Sequence, residues 1–435
     1  MAAVKKHLSF RALRDTACAR FNSIEDHRSS PVVYSINDCL MSAFAMMFFQ
    51  DPSLLAFQRR MQDELQESNL VNIFGVKNIP ADTQLRDTID KVDPGWIEPI
   101  FADYFRRLQR GKHTNDFGVL GDHYFVVLDA SQYFASEKIR CPGCLSQKPS
   151  SGKTLYSHQI LQAAMVAPHM RQVIPLAPEP IKNEDGTIKQ DCEINASKRM
   201  LRKIRADHPR LKIIIGGDSL YSKQPFIDEL KAVGMSFALV AKPGDHKVLF
   251  EWVSELREMG ELSVSETKDV KGYTHRYEWT NGVALNGRHD GEIVNFIEYS
   301  MIRKDGKTTY HNSWVTDIEV EDGNVVELVR LGRARWKIEN ECFNTLKNHG
   351  YHIEHNYGHG KKNLSYNFFL LNLLAYFCHQ IFELTDRTYM DARQKFSSRA
   401  GYWQMLKYSI QIILVKDWEH LLRTLVEKPH IHAPP

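Results

Sequence analysis

The chain has 435 residues, 43% of them apolar and 25% charged, a balance that excludes a fibrous or disordered protein and leaves room for two or three domains. A net charge of +3 is too small to demand a polyanionic partner over the whole surface. The charge is unevenly spread, however. From Leu331 onward there are 14 Lys and Arg against 9 Asp and Glu, with 8 of the 19 histidines, whereas residues 1–115 carry 15 basic and 14 acidic groups. A nucleic-acid surface is therefore expected to be local and C-terminal rather than a basic tail. Seven cysteines with one close pair do not make a disulfide framework.

The first 20 residues are basic but lack the apolar run of a secretion signal. The two most apolar stretches are residues 40–49, too short for a bilayer, and 368–382, interrupted by Asn372, His379 and Gln380. Both read as buried helices, with no membrane partner, and a cytoplasmic protein is expected. Apolar spacing is helical from about residue 35 to 110, broken at Asp51-Pro52, Pro80 and Pro94-Gly95. Residues 123–128 then form an apolar strand ending in Asp129, and 155–166 and 173–176 predict two more strands. A helix over 191–206, a strand over 211–215 ending at Gly216-Gly217-Asp218, a helix over 225–233 and a strand over 236–240 follow. This order predicts an α/β fold, a mixed sheet with flanking helices. Residues 261–320 are almost all strand, with turns expected at Lys271-Gly272, Asn281-Gly282, Asn286-Gly287, Asp305-Gly306 and Asp322-Gly323. Helices return over 328–348 and 364–384.

Asp129 and Asp218 stand at predicted strand ends, the rim where α/β folds keep their ligands. Glu339 lies on the predicted helix, which Trp336, Phe343 and Leu346 make apolar on one side. Singly, an Asp after a strand is more often a turn residue or a helix cap. Three converging carboxylates without neutralising bases repel one another and call for divalent cations. Hard oxygen ligands suit Mg²⁺ or Mn²⁺, and two such ions ~3.5–4 Å apart can activate a water or a 3′-hydroxyl and stabilise the leaving oxygen of a phosphodiester.

Val127-Leu128-Asp129, Gly217-Asp218-Ser219-Leu220-Tyr221-Ser222 and Arg335-Trp336-Lys337-Ile338-Glu339 resemble the three acidic motifs of the DDE transposases of bacterial insertion sequences, and the IS-four-like branch most of all. The resemblance covers about residues 30–385, and the three acids are 89 and 121 residues apart. It implies a ribonuclease H-like core interrupted by a β-rich insertion before the glutamate. It further implies cleavage at transposon ends and strand transfer into target DNA by Asp129, Asp218 and Glu339 holding two Mg²⁺ (or Mn²⁺), with no covalent protein intermediate. A homodimer or higher multimer assembled on transposon-end and target DNA would be expected, in a bacterial cytoplasm and associated with the nucleoid. The alternatives are a non-catalytic DNA-binding protein derived from a transposase, and a ribonuclease H-like nuclease without strand transfer.

The branch's signature is Tyr-x2-Arg-x3-Glu-x6-Lys on one helix. Arg335 and Glu339 fit it, but Gly332 takes the Tyr position and Leu346 the Lys position, with Lys347 one residue late. At ~100° per residue a regular helix sets Lys347 ~80° away from Glu339, and the competing acid Glu341 ~160° away. Arg335 can fork a phosphate or simply pair with Glu339 one turn on. Lys242 follows a strand and can meet the DNA backbone. Residues 352–362 mix glycines with Lys361, Lys362 and Tyr357, a loop able to approach phosphates, with a ring able to stack on a base.

Cys141-Pro142-Gly143-Cys144 is half of a zinc knuckle, with His158 and Cys192 as candidates for the other ligands of a structural Zn²⁺. The regions expected are 1–115, helical and DNA-binding; 116–245, the first part of the catalytic core; 246–327, the β-rich insertion; 328–390, the glutamate helix and end of the core; and 391–435, a helical tail.

Overall fold

The computed structural model describes residues 6–29, 32–51, 53–61, 64–148, 152–183, 190–288 and 291–427. The chain begins with α1 (Phe10–Asn22), α2 (Ile36–Phe48), α3 (Leu54–Met61), α4 (Glu64–Phe74), α5 (Asp82–Ile89) and α6 (Pro99–Arg110). Ser9 and Ser35 start α1 and α2 by accepting the backbone N–H of Ala12 and Asp38, the usual task of a serine N-cap. Every residue of α2 except Asn37 is buried, because the helix lies among α1, α4, α5 and a long C-terminal helix.

Next come β1 (Gly118–Val119), β2 (His123–Ser136), β3 (Leu145–Gln147), β4 (Leu155–Val166), β5 (Ile174–Pro175) and β6 (Glu179–Ile181). Then α7 (Glu193–Asp207), β7 (Lys212–Gly217), α8 (Gln224–Ala232) and β8 (Ser236–Val240) alternate. Strand β4 pairs antiparallel with β2, β5 and β6, while β7 runs parallel to β2 and β8 parallel to β7. This is the mixed, helix-flanked sheet of a ribonuclease H-like core.

The β-rich stretch follows as α9 (Lys247–Met259), β9 (Ser263–Lys268), β10 (Thr274–Ala284), β11 (Ile293–Ile302) and β12 (Thr308–Thr316). Strand β12 pairs with β8 through Trp314 and Val240, so these strands prolong the core sheet to twelve strands. The turn expected at Asn281-Gly282 is instead a bulge inside β10. The register slips between Thr280 and Val283, and Gly282, at φ +75°, absorbs the extra residue.

Two further expectations are corrected here. Strand β2 does not stop at Leu128 but runs to Ser136, so Asp129 is mid-strand, opposite Gln162 of β4. Nor is 328–348 one regular helix. After α10 (Val325–Ala334) the chain makes a π-helical turn over Ile338–Phe343 and then α11 (Asn344–Asn348).

The C-terminal part is α12 (Leu364–Thr385), α13 (Arg387–Gln394), α14 (Arg399–Ile412) and α15 (Trp418–Val426). Helix α12 is long and apolar enough to cross a membrane, yet the fold buries 83% of its apolar window. One hydrophobic cluster runs from Leu8 through α2, the sheet and α12 to Leu422. The start of α12 is tied to α5 by Asp90, whose carboxylate accepts the backbone N–H groups of Lys361, Lys362, Asn363 and Leu364 at 3.0–3.1 Å. Burial opposes the charge, but these bonds hold Asp90 below the usual carboxylate range. Asp90→Ala leaves four N–H groups without this acceptor and should cost roughly 1–3 kcal/mol. Chemical denaturation measures it, and an unchanged midpoint would show that the helix start is held by something else.

Candidate active site

The carboxylates gather where β2 loses a partner. Parallel pairing with β7 ends at Val127 and Gly216, and β7 stops at Gly217. Asp129 therefore has β4 on one side and an opening on the other, beside Asp218, which directly follows β7. Asp218 keeps its loop in shape by accepting the N–H of Leu220 at 2.9 Å. The π turn carrying Glu339 packs against β2 from the open side.

Asp129 is half-buried, and burial raises its pKa from 3.8 to about 7. The charge of Glu339 pushes the same way, as do those of Glu193 and Asp218, while Arg335 opposes them. Glu193, in the first turn of α7, is a fourth acid of the cluster. It is raised by burial and by Asp218, although the hydroxyl of Tyr221 donates to it. An acid in a first helical turn ordinarily answers the helix dipole, and only the packing of Tyr221 points Glu193 here.

Arg335 is 8% exposed, donates to Glu339 Oε1 at 2.9 Å and lies 4.8 Å over the Trp336 ring. Of the two readings of that residue, the structure shows the ion pair. Lys337 anchors the segment by donating to Met170 O at 2.6 Å.

The signature's departures have physical causes. A Cβ on Gly332 would stand 2.4 Å from Trp314 Nε1, so the β12 indole fills the space a tyrosine there would need. At the π turn, Asn344 N–H reaches back five residues to Glu339 O. A turn closed over five residues holds one more than an α turn, so the rotation expected for a regular helix does not apply. Lys347, one residue late, regains the place seven residues after Glu339 on a regular helix. It pairs with Glu354 at 2.9 Å, a half-exposed partner that contributes little.

Lys242, Lys361 and Lys362 are exposed. Tyr357 is not available for base stacking as expected. It is 7% exposed, packs on Phe368 and His355, and offers no free face. Cys141, Cys144 and His158 do come together, but the fourth member of their group is His359. Cys192 is exposed at the start of α7 and takes no part, which corrects the expected ligand set. His359 was legible only as one of several histidines in a glycine-rich loop.

A ribonuclease H-like sheet that gathers carboxylates at the edge of its central strand defines a class of metal-dependent phosphodiester enzymes. The family model described as Transposase DDE domain matches residues 145–378, more than half of the chain. The chain belongs to that family: it is a DDE transposase, an enzyme of DNA cleavage and strand transfer that works on DNA with divalent metal ions. The matched span contains Asp218 and Glu339 and begins after Asp129, whose place in the site rests on the geometry above. No curated protein matches the chain. Among solved structures, a piggyBac transposase synaptic complex with hairpin DNA, determined by cryo-electron microscopy, aligns over 98% of this chain and 82% of that one, at 10% identity and a TM-score of 0.42.

The raised pKa has a consequence for stability. Between pH ~4 and ~7 the folded protein holds a proton on Asp129 that the unfolded chain has lost, so stability falls as pH rises through that window. Without divalent metal, Asp129→Asn should therefore be the more stable protein at pH 8, by up to about 4 kcal/mol, and match wild type near pH 4. Thermal unfolding in chelator checks this. A variant less stable than wild type at pH 8 would mean that Asp129 is not electrostatically strained.

Proposed function

We propose that Asp129, Asp218 and Glu339 hold two Mg²⁺ (or Mn²⁺) ions and that this chain cuts the ends of a transposon and joins them to target DNA. The observation that carries the reading is the gathering of acids beside the unpaired side of β2, where the charges of Glu339, Glu193 and Asp218 all act on Asp129 and that of Arg335 opposes them. Bound there, the ions would supply an activated water or 3′-hydroxyl and stabilise the leaving oxygen. The chain's own part is orientation: β2 and the loop after β7 fix the two aspartates, and the π turn brings Glu339 over them. Glu193, which accepts from the Tyr221 hydroxyl, adds a further negative charge close to Asp218 and Asp129.

Arg335, Lys347, Lys242, Lys361 and Lys362 are the cations we assign to DNA phosphates. Arg335 is pre-aligned by Glu339 and Trp336. The helical region 1–115 is assigned to the transposon ends. Its open cleft of about 770 Å³ is lined by Arg20, Arg106, Arg107 and Arg110, of which Arg20 and Arg106 pair with Asp103 and Arg107 donates to His7 O and Thr16 Oγ1. Work at two ends calls for a homodimer or higher multimer on DNA, acting in a bacterial cytoplasm at the nucleoid. The intact acids favour this over a protein that only binds DNA.

Asp218→Ala should abolish Mg²⁺-dependent cleavage of transposon-end DNA while binding survives, because the grip on phosphates is spread over many contacts. Asp129→Ala and Glu339→Ala should behave alike, Glu341→Ala should be milder, and Glu193→Gln should lose roughly 10–100-fold. Cleavage retained by Asp218→Ala would end the metal assignment. Lys347→Ala should weaken binding to all sequences and lower the salt slope by about one; an unchanged slope would remove it from the interface.

A further inference from the structure

Four side chains outside the carboxylate cleft meet at the far end of the first hairpin. Cys141 and Cys144 lie in the connection after β2, His158 lies on β4, and His359 belongs to the segment between α11 and α12. The sulfurs are 3.8 Å apart. Cys141 Sγ and Cys144 Sγ each stand 3.5 Å from His158 Nε2, and Cys144 Sγ is 3.4 Å from His359 Nε2. The two Nε2 atoms are 3.1 Å apart.

A tetrahedral ion with thiolates at ~2.3 Å and imidazoles at ~2.0–2.1 Å requires edges of about 3.8 Å between sulfurs, about 3.5 Å between sulfur and nitrogen, and about 3.3 Å between nitrogens. The five edges above agree within a few tenths of an ångström, and the sixth, Cys141 to His359, is under 4.8 Å. The sulfurs are too far apart for a disulfide, whose bond is ~2.05 Å. The surroundings fit as well. His359 Nδ1 lies 2.9 Å from Gly360 O, which assigns its proton to that nitrogen and turns the Nε2 lone pair toward the cluster. Cys141 N–H donates to Cys144 Sγ at 3.3 Å, and the rings of Tyr133 and Phe134 wall the group off.

We propose that Cys141, Cys144, His158 and His359 bind one structural Zn²⁺. Two sulfurs and two nitrogens in tetrahedral array select zinc over the hard ions of the carboxylate cleft. The ion cross-links residues 215 positions apart. It pins the segment that leads from the glutamate turn to α12, and with it Lys361 and Lys362, onto the hairpin of the catalytic sheet.

The test is elemental analysis of the full chain, purified from zinc-supplemented culture and dialysed against metal-free buffer. One zinc per chain is expected for wild type, for Cys192→Ser and for Asp218→Ala, and well under half of that for Cys144→Ser and His359→Ala. X-ray absorption on wild type needs no variant to fold, and should show two sulfurs at ~2.3 Å and two nitrogens at ~2.0–2.1 Å. A zinc-free wild type, a shell of oxygens, or zinc lost by Asp218→Ala and kept by His359→Ala would overturn the assignment.

Discussion

Asp129 is half-buried on a long strand, with the charges of Glu339, Glu193 and Asp218 reaching it and one guanidinium opposing them. Like charges in a partly desolvated cleft cannot all stay ionised unless something positive enters. The protein answers with rigidity rather than with bases. Strand β2 is paired to β4 over nearly its whole length and to β7 up to the site, which fixes the backbone at Asp129, while Asp218 opens a loop shaped by its bond from Leu220 N–H. Burial first, and the neighbouring acids after it, thus raise the Asp129 pKa.

The third carboxylate arrives by a different device. Helix α10 packs on the β10–β12 face, with Trp314 against Gly332, and this sets where the helix can lie. From there the π turn re-aims the chain so that Glu339 faces β2 while Cys342, Phe343 and Leu346 stay in the core. Such turns cost hydrogen-bond geometry and persist where a side chain has to be re-aimed. The β-rich insertion is therefore part of the site's framework, because it supplies the indole that seats the helix.

The N-terminal and C-terminal helices do not form separate cores. Buried α2 touches α12, which in turn backs the sheet, and Asn69 of α4 donates to Ile410 O and Ile413 O at 2.8 Å each.

Much of this was legible in the residue order. Alternating and helical apolar patterns placed β4, β7, β8 and α12 to within a residue or two, and the motifs around Asp129, Asp218 and Glu339 resembled those of the family. Those signals are local, set by which face a side chain must bury and by neighbours a few residues away. What the order of residues could not reveal was decided by partners far off in the chain. The extension of β2 past Asp129 depends on β4, the Asn281-Gly282 bulge on β11, and the burial of Tyr357 on Phe368. The choice of His359 over Cys192 depends on a loop folding back across 215 residues. Periodicity carries no information about such meetings, because they are fixed only when the whole core packs.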